Sequence, residues 1–178
     1  MQFKSLFVVI SAVAAVFAAS SVTDVANGVA DIDSKVADLE KLLQAFPQTG
    51  GTFEQAKAIH NTVDDVLKAI DATKTTADDV NDIVSVADGQ KIMDAFHNME
   101  PVIKNALQTL DEKKDSLSSI GVGRVQAIIQ LDLQHLLDAV VGLAGSLLAK
   151  SPADCKPEAQ GISLDIQAAI KASIKLFA

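Results

Sequence analysis

The chain of 178 residues is 49% hydrophobic but only 4% aromatic, with no Trp or Tyr, and it sets 15 Lys and Arg against 23 Asp and Glu for a formal charge of -8. That length suits one domain. The scattered positive charges exclude a nucleic-acid partner, which needs a concentrated basic face, and the missing Trp and Tyr argue against a sugar-stacking cleft.

Residues 1–19 read as a secretory signal peptide. Lys4 supplies a positive start, Leu6 to Val16 an apolar stretch broken only by Ser11, and Ala18, Ala19 and Ser20 a small-residue cleavage region. The apolar stretch is too short to span a bilayer. Residues 20–178 are then expected as a single secreted domain. With Cys155 as its only cysteine, it has no internal disulfide and must rely on a packed core. Cys155 lies between Pro152 and Pro157 in a connection, where a free thiol tucked under a loop is favoured over a bridge between chains.

Helical spacing then runs almost throughout. Val22, Val25, Val29, Ile32, Val36, Leu39, Leu43 and Phe46 step by three and four, predicting a first helix that Pro47 to Gly51 ends. Thr52 is a candidate cap for a second helix. Its stripe is Phe53, Ala56, His60, Val63, Leu67, Ile70, Ala77, Val80 and Val84, widened by Ile59 and Val66, with a break expected near Val86 to Gly89. A third helix is predicted from Gln90 to Leu110 with Ile92, Phe96, Met99, Ile103, Ala106 and Leu110 on one face. Pro101 inside it predicts a kink or break at His97. Ser116 to Gly123 reads as a link.

The fourth helix, Arg124 to Lys150, is apolar nearly all round and belongs at the centre of a bundle, while Asp132, Gln134, His135 and Asp138 argue against a membrane span. Its small residues Ala139, Gly142, Ala144 and Gly145 either let a neighbouring helix approach closely or leave a tunnel of acyl width. The last helix, Glu158 to Phe177, turns Ile162, Ile166, Ala169, Ile170 and Ser173 inward. The fold class is therefore all-α: an antiparallel bundle of about five long amphipathic helices with a central apolar helix.

No catalytic centre is expected. Asp94 with His97 and Asp132 with His135 place an acid and an imidazole one turn apart, but di-metal bundles use Glu and need two further inward Glu, so neither a metal nor another cofactor is predicted. No strand-turn-helix elbow exists to present a serine nucleophile. His60 differs because it occupies an apolar stripe; it reads as a buried, hydrogen-bonded residue or as the polar anchor of a ligand carboxylate, with Asp64 one turn on as an alternative partner.

The chain carries, in order, Phe46-Pro47 with Gly50-Gly51, Ala69-Ile70-Asp71, Pro101-Val102-Ile103 followed by Leu107 and Leu110, Lys113-Lys114, the helix from Leu131 to Leu148, and the exit Ala149-Lys150-Ser151-Pro152. In this order and spacing they resemble the fungal hydrophobic surface-binding protein A family, which includes antigenic cell-wall galactomannoproteins. The resemblance covers essentially the whole chain after the signal peptide. It implies a secreted, non-enzymatic helical protein that binds fatty acid or another lipid in an apolar cavity, adsorbs to hydrophobic surfaces, or assists a secreted hydrolase there; the five apolar stripes themselves predict a monomer. The alternative is a structural or antigenic wall component without a small ligand. The chain carries no Ser/Thr-rich stalk and no Asn-x-Ser/Thr sequon, so covalent wall attachment is not expected. If the stripes enclose a cavity, its candidate lining is His60, Val63, Leu67, Met93, Phe96, Met99, Leu136, Val140, Leu143, Ile166 and Ile170.

Overall fold

The computed structural model describes residues 21–121 and 124–178. The expected signal peptide and the last two positions of the expected Ser116-to-Gly123 link lie outside the described residues. The described chain forms α1 (Val22–Ala45), α2 (Phe53–Asp78), α3 (Val86–Glu112), the short α4 (Lys114–Ser118), α5 (Val125–Lys150) and α6 (Lys156–Phe177).

Local chemistry sets most of these bounds. Ser21 and Thr52 open α1 and α2 with capping boxes, each side chain accepting from a backbone N–H three residues on while Asp24 or Gln55 reaches back. Phe46 closes α1 and folds over Gly51, where a Cβ would stand 2.2 Å from its ring; only glycine fits there. The second helix stops earlier than its apolar spacing suggests. Asp79 ends it, and Ser85 caps α3 by accepting from the Asp88 N–H at 3.1 Å, so Val80 and Val84 belong to the link. The third helix begins correspondingly earlier and continues past Pro101 as one element, so the expected break is not there. Pro101 is exposed, and the free carbonyl one turn back faces no barrier to solvation. Where a plain link was read from Ser116, α4 reaches Ser118 and buries Ser116 and Leu117.

The five long helices close into a ring. α1 packs on α2 and α3, α2 on α5, α5 on α6, and α6 on α3. Chain direction alternates from each long helix to the next. At one end α2 and α5 finish together, with the Val84 N–H donating to the Lys150 carbonyl at 3.0 Å. At the other, Phe46, Leu117 and Phe177 are almost fully buried and close the ring where α1 and α6 end. The most apolar helix, α5, is partly buried: Ile129, Leu133, Leu137 and Leu143 are inside, while Leu131 and Val141 are about half exposed, at 54% and 47%. By length and composition α5 could cross a bilayer. In this fold it is one wall of the ring, with Asp132 buried and Gln134, His135 and Asp138 exposed.

Cys155 is free and buried in the α5–α6 connection. Its Sγ and the Pro152 ring lie 3.1 Å from where a Gly89 Cβ would be, so the thiol sits against the start of α3, as the loop-covered alternative describes.

Candidate functional site

Five helices in a ring do not fill their own centre. The apolar stripes of α1, α2, α3, α5 and α6 face a shared cavity of about 150 Å³. A cavity of roughly this size with a Leu/Ile/Phe lining stays dry and accepts an apolar guest. The lining is long: on α1 it runs from Val22 to Leu43, which at roughly 1.5 Å per residue is about 32 Å. One acyl chain spans about half of a bilayer's ~30 Å hydrocarbon core, or ~15 Å, so the lining exceeds that reach.

The wall from α3 is Met93, Phe96, Met99, Ile103, Ala106 and Leu110. Two unbranched thioethers and two half-buried side chains, Phe96 and Ile103, give this wall freedom to re-pack around a flexible guest. Opposite stand Leu136, Val140 and Leu143 of α5 with Ile166 and Ile170 of α6, and Val63 of α2 completes the circuit. Nine of the eleven candidate lining residues thus meet around one space. Leu67 does not; it is half-buried and packs against the core from the side. His60 also stands outside the main cavity, because α2 turns Ile59, Val63, Val66 and Ile70 inward and leaves His60 at the stripe's edge.

The small residues of α5 do not form the tunnel. A Cβ on Gly142 would meet the Lys74 side chain at 3.6 Å, Gly145 opens onto free space, and of the four only Ala144 lines the cavity.

The polar members of the lining are few: Asp132, Lys150, Ser151 and Ser163. Three are engaged by the protein itself. The Lys150 ammonium donates to the Val80 carbonyl, Ser151 Oγ donates to the Leu147 carbonyl at 2.8 Å, and Ser163 Oγ accepts from Gln167 Nε2 at 2.9 Å. Asp132 is the carboxylate of the set and is 6% exposed. His60 Nδ1 donates to its Oδ2 at 2.9 Å, and His60 Nε2 lies 3.9 Å from Asp64. Burial pushes the Asp132 carboxyl above the usual range, against the pull of the imidazole. The hydrogen bond to Asp132 in turn raises His60 above its ordinary value. Asp64, the partner considered from sequence, is therefore the distant one.

Sequence reasoning placed Asp132 in an acid-x-x-His pair and missed its position facing the interior. The signal was present: Ile129, Asp132, Leu136, Val140, Leu143 and Leu147 step by three and four along one face. Asp132 also borders a second, smaller recess between α2 and α5, lined by Phe53, Lys57, His60 and Leu117 among others. His97, by contrast, is exposed and faces Glu158 of α6 at 3.5 Å. Among the described residues no three His, Cys, Asp or Glu side chains converge in a metal-holding group.

Solved structures share this architecture. Afmp4p in complex with palmitic acid superposes with a TM-score of 0.82 at 22% identity, covering 89% of this chain and 100% of that one. Ligand binding domain 1 of the Penicillium marneffei MP1 protein, complexed with arachidonic acids, gives 0.79 at 18% identity over 89% and 99%. Ligand binding domain 2 of the same protein, complexed with multiple arachidonic acids, gives 0.77 at 18% over 85% and 92%. No curated protein matches the chain by sequence. The family described as hydrophobic surface binding protein A matches residues 22–149, and the chain belongs to that family.

Proposed function

We propose that this is a secreted, non-enzymatic carrier that holds the acyl chain of a lipid, a long-chain fatty acid or a relative of one, in the cavity at the centre of the ring. The observation that carries this reading is the cavity itself: five helices converge on a long space whose walls are almost wholly aliphatic and include a flexible methionine face. The bound palmitic and arachidonic acids of similarly folded proteins support it. The signal-like first residues support secretion. A second reading, adsorption to hydrophobic surfaces, draws on the family and on exposed apolar side chains. Ile83 and Val86, 64% and 53% exposed, flank Val84 beside the Lys150 end of the cavity.

The test is displacement of an apolar fluorophore from the delipidated protein by palmitate and arachidonate, alongside native mass spectrometry of protein recovered from culture medium. Saturable displacement with a stoichiometry near one acyl chain per protein, or a co-purifying acyl lipid, is expected. Fluorophore binding that neither acid nor an uncharged long-chain analogue displaces would overturn the carrier reading, and partition to apolar beads would then test adsorption alone.

A further inference from the structure

Asp132 is placed unlike any other polar residue of the lining. It is buried in an aliphatic wall, and its Oδ2 is occupied by His60 while no side chain of the described residues donates to its Oδ1. Asp132 borders both the main cavity and the recess between α2 and α5. Because Asp132 accepts from His60 Nδ1, that nitrogen carries a proton, and the imidazole fixes the carboxylate's orientation. A carboxylate oxygen in apolar surroundings gains most from a proton donor, since a charge-assisted hydrogen bond is stronger than a neutral one.

We propose that Asp132, held by His60, is the head-group acceptor of the cavity, and that it selects a long-chain lipid ending in an uncharged hydrogen-bond donor, a hydroxyl above all. The assignment rests on the carrier reading and deepens it by naming the head-group class. An ionised carboxylate has no proton to donate and brings a like charge to Asp132, so it does not seat its head group there. An ester offers only acceptors. A hydroxyl donates to Oδ1 while its acyl chain lies along Leu136, Val140 and Met99, and the recess towards Phe53 and Lys57 leaves room for a head group larger than one oxygen.

The test compares hexadecanol, methyl palmitate and palmitate at mildly alkaline pH as displacers of the apolar fluorophore, on the native protein and on Asp132→Leu. On the native protein hexadecanol is expected to bind about tenfold or more tighter than methyl palmitate. Asp132→Leu is expected to erase that ratio while keeping ester binding. If no probe displaces the fluorophore, the carrier reading itself fails. If alcohol and ester displace equally on the native protein, or the ratio survives Asp132→Leu, the carrier reading stands and the head-group assignment is overturned.

Should Asp132→Leu not fold, the native protein still decides. Among His60, His97 and His135, hexadecanol is expected to shift the His60 imidazole NMR signals relative to methyl palmitate, because a hydroxyl donating to Asp132 weakens its hold on the ring. Identical His60 signals with the two ligands would overturn the assignment.

Discussion

Filling the cavity from the α3 wall should make the protein more stable and less able to bind. Ala106 is the position to use: it is 4% exposed, lines the cavity, and lies on the ridge of Met99, Ile103 and Leu110. Ala106→Leu adds three carbons at almost no change in helix propensity. At about 0.8 kcal/mol per buried methylene the upper gain is roughly 2.4 kcal/mol, and incomplete burial brings the expectation to about 1–2 kcal/mol. For a chain of this size that raises Tm by about 2–8 °C. The same side chain occupies space an acyl chain would use, so affinity for a fluorescent fatty acid should fall by about tenfold or more. Thermal melts and a binding titration on one preparation read both effects. If the centre is instead packed solid, leucine overpacks it and costs about 1–3 kcal/mol. A lowered Tm with unchanged affinity would refute the reasoning.

Gly28→Ala should destabilise despite alanine's better helix propensity, by about 1–2 kcal/mol, because its Cβ would stand 2.5 Å from Thr73 Oγ1, which is buried and bonded to the Ala69 carbonyl; adding Thr73→Ala should recover most of the loss in thermal melts. Thr52→Ala removes half of a capping box and should cost about 1 kcal/mol in urea unfolding, with unchanged fatty-acid affinity. His60 is raised above its ordinary 6.5 by Asp132, so the stability it contributes is complete below that value and lost as pH rises through the folded value. The melting temperature should fall as pH rises above about 6.5, and His60→Gln should flatten that part of the profile; parallel profiles would show that the pair contributes nothing.

The helices were legible because their apolar residues repeat at three and four and their caps are short-range chemistry. Thr52 and Pro47 act on the backbone within a few residues of themselves, whatever the rest of the chain does. Where an apolar position continued past a helix end, the spacing misled. Val80 and Val84 keep the register of α2, yet they pack at the Lys150 end as part of a link, since Ser85 and Asp88 offer a better start for α3. The site was legible in the same measure. Met93, Met99, Leu143 and Ile170 share a cavity because each lies on its helix's inward stripe, and a stripe is a local property. That His60 stands outside the main cavity was not. Which of two adjacent positions on an apolar face turns inward depends on the rotation of α2 against α5, and nothing within either helix sets that rotation.

The number of helices around the axis is likewise a tertiary property, and it decides what the stripes do. The same stripes could meet face to face and fill one another with ordinary core packing. Closed into a ring of five through the α6–α3 contact, they leave about 150 Å³ at the centre. At roughly 24 cal/mol per Å³ that space forgoes about 3.6 kcal/mol of packing, a large share of the ~5–15 kcal/mol that a domain commonly has in hand. Larger residues at Ala106, Ala144 or Val140 would recover part of it without altering a helix boundary. Small and flexible side chains facing the interior at that cost are what a wall needs if an acyl chain is to supply the missing contacts, and the ligand then restores stability in proportion to its own affinity.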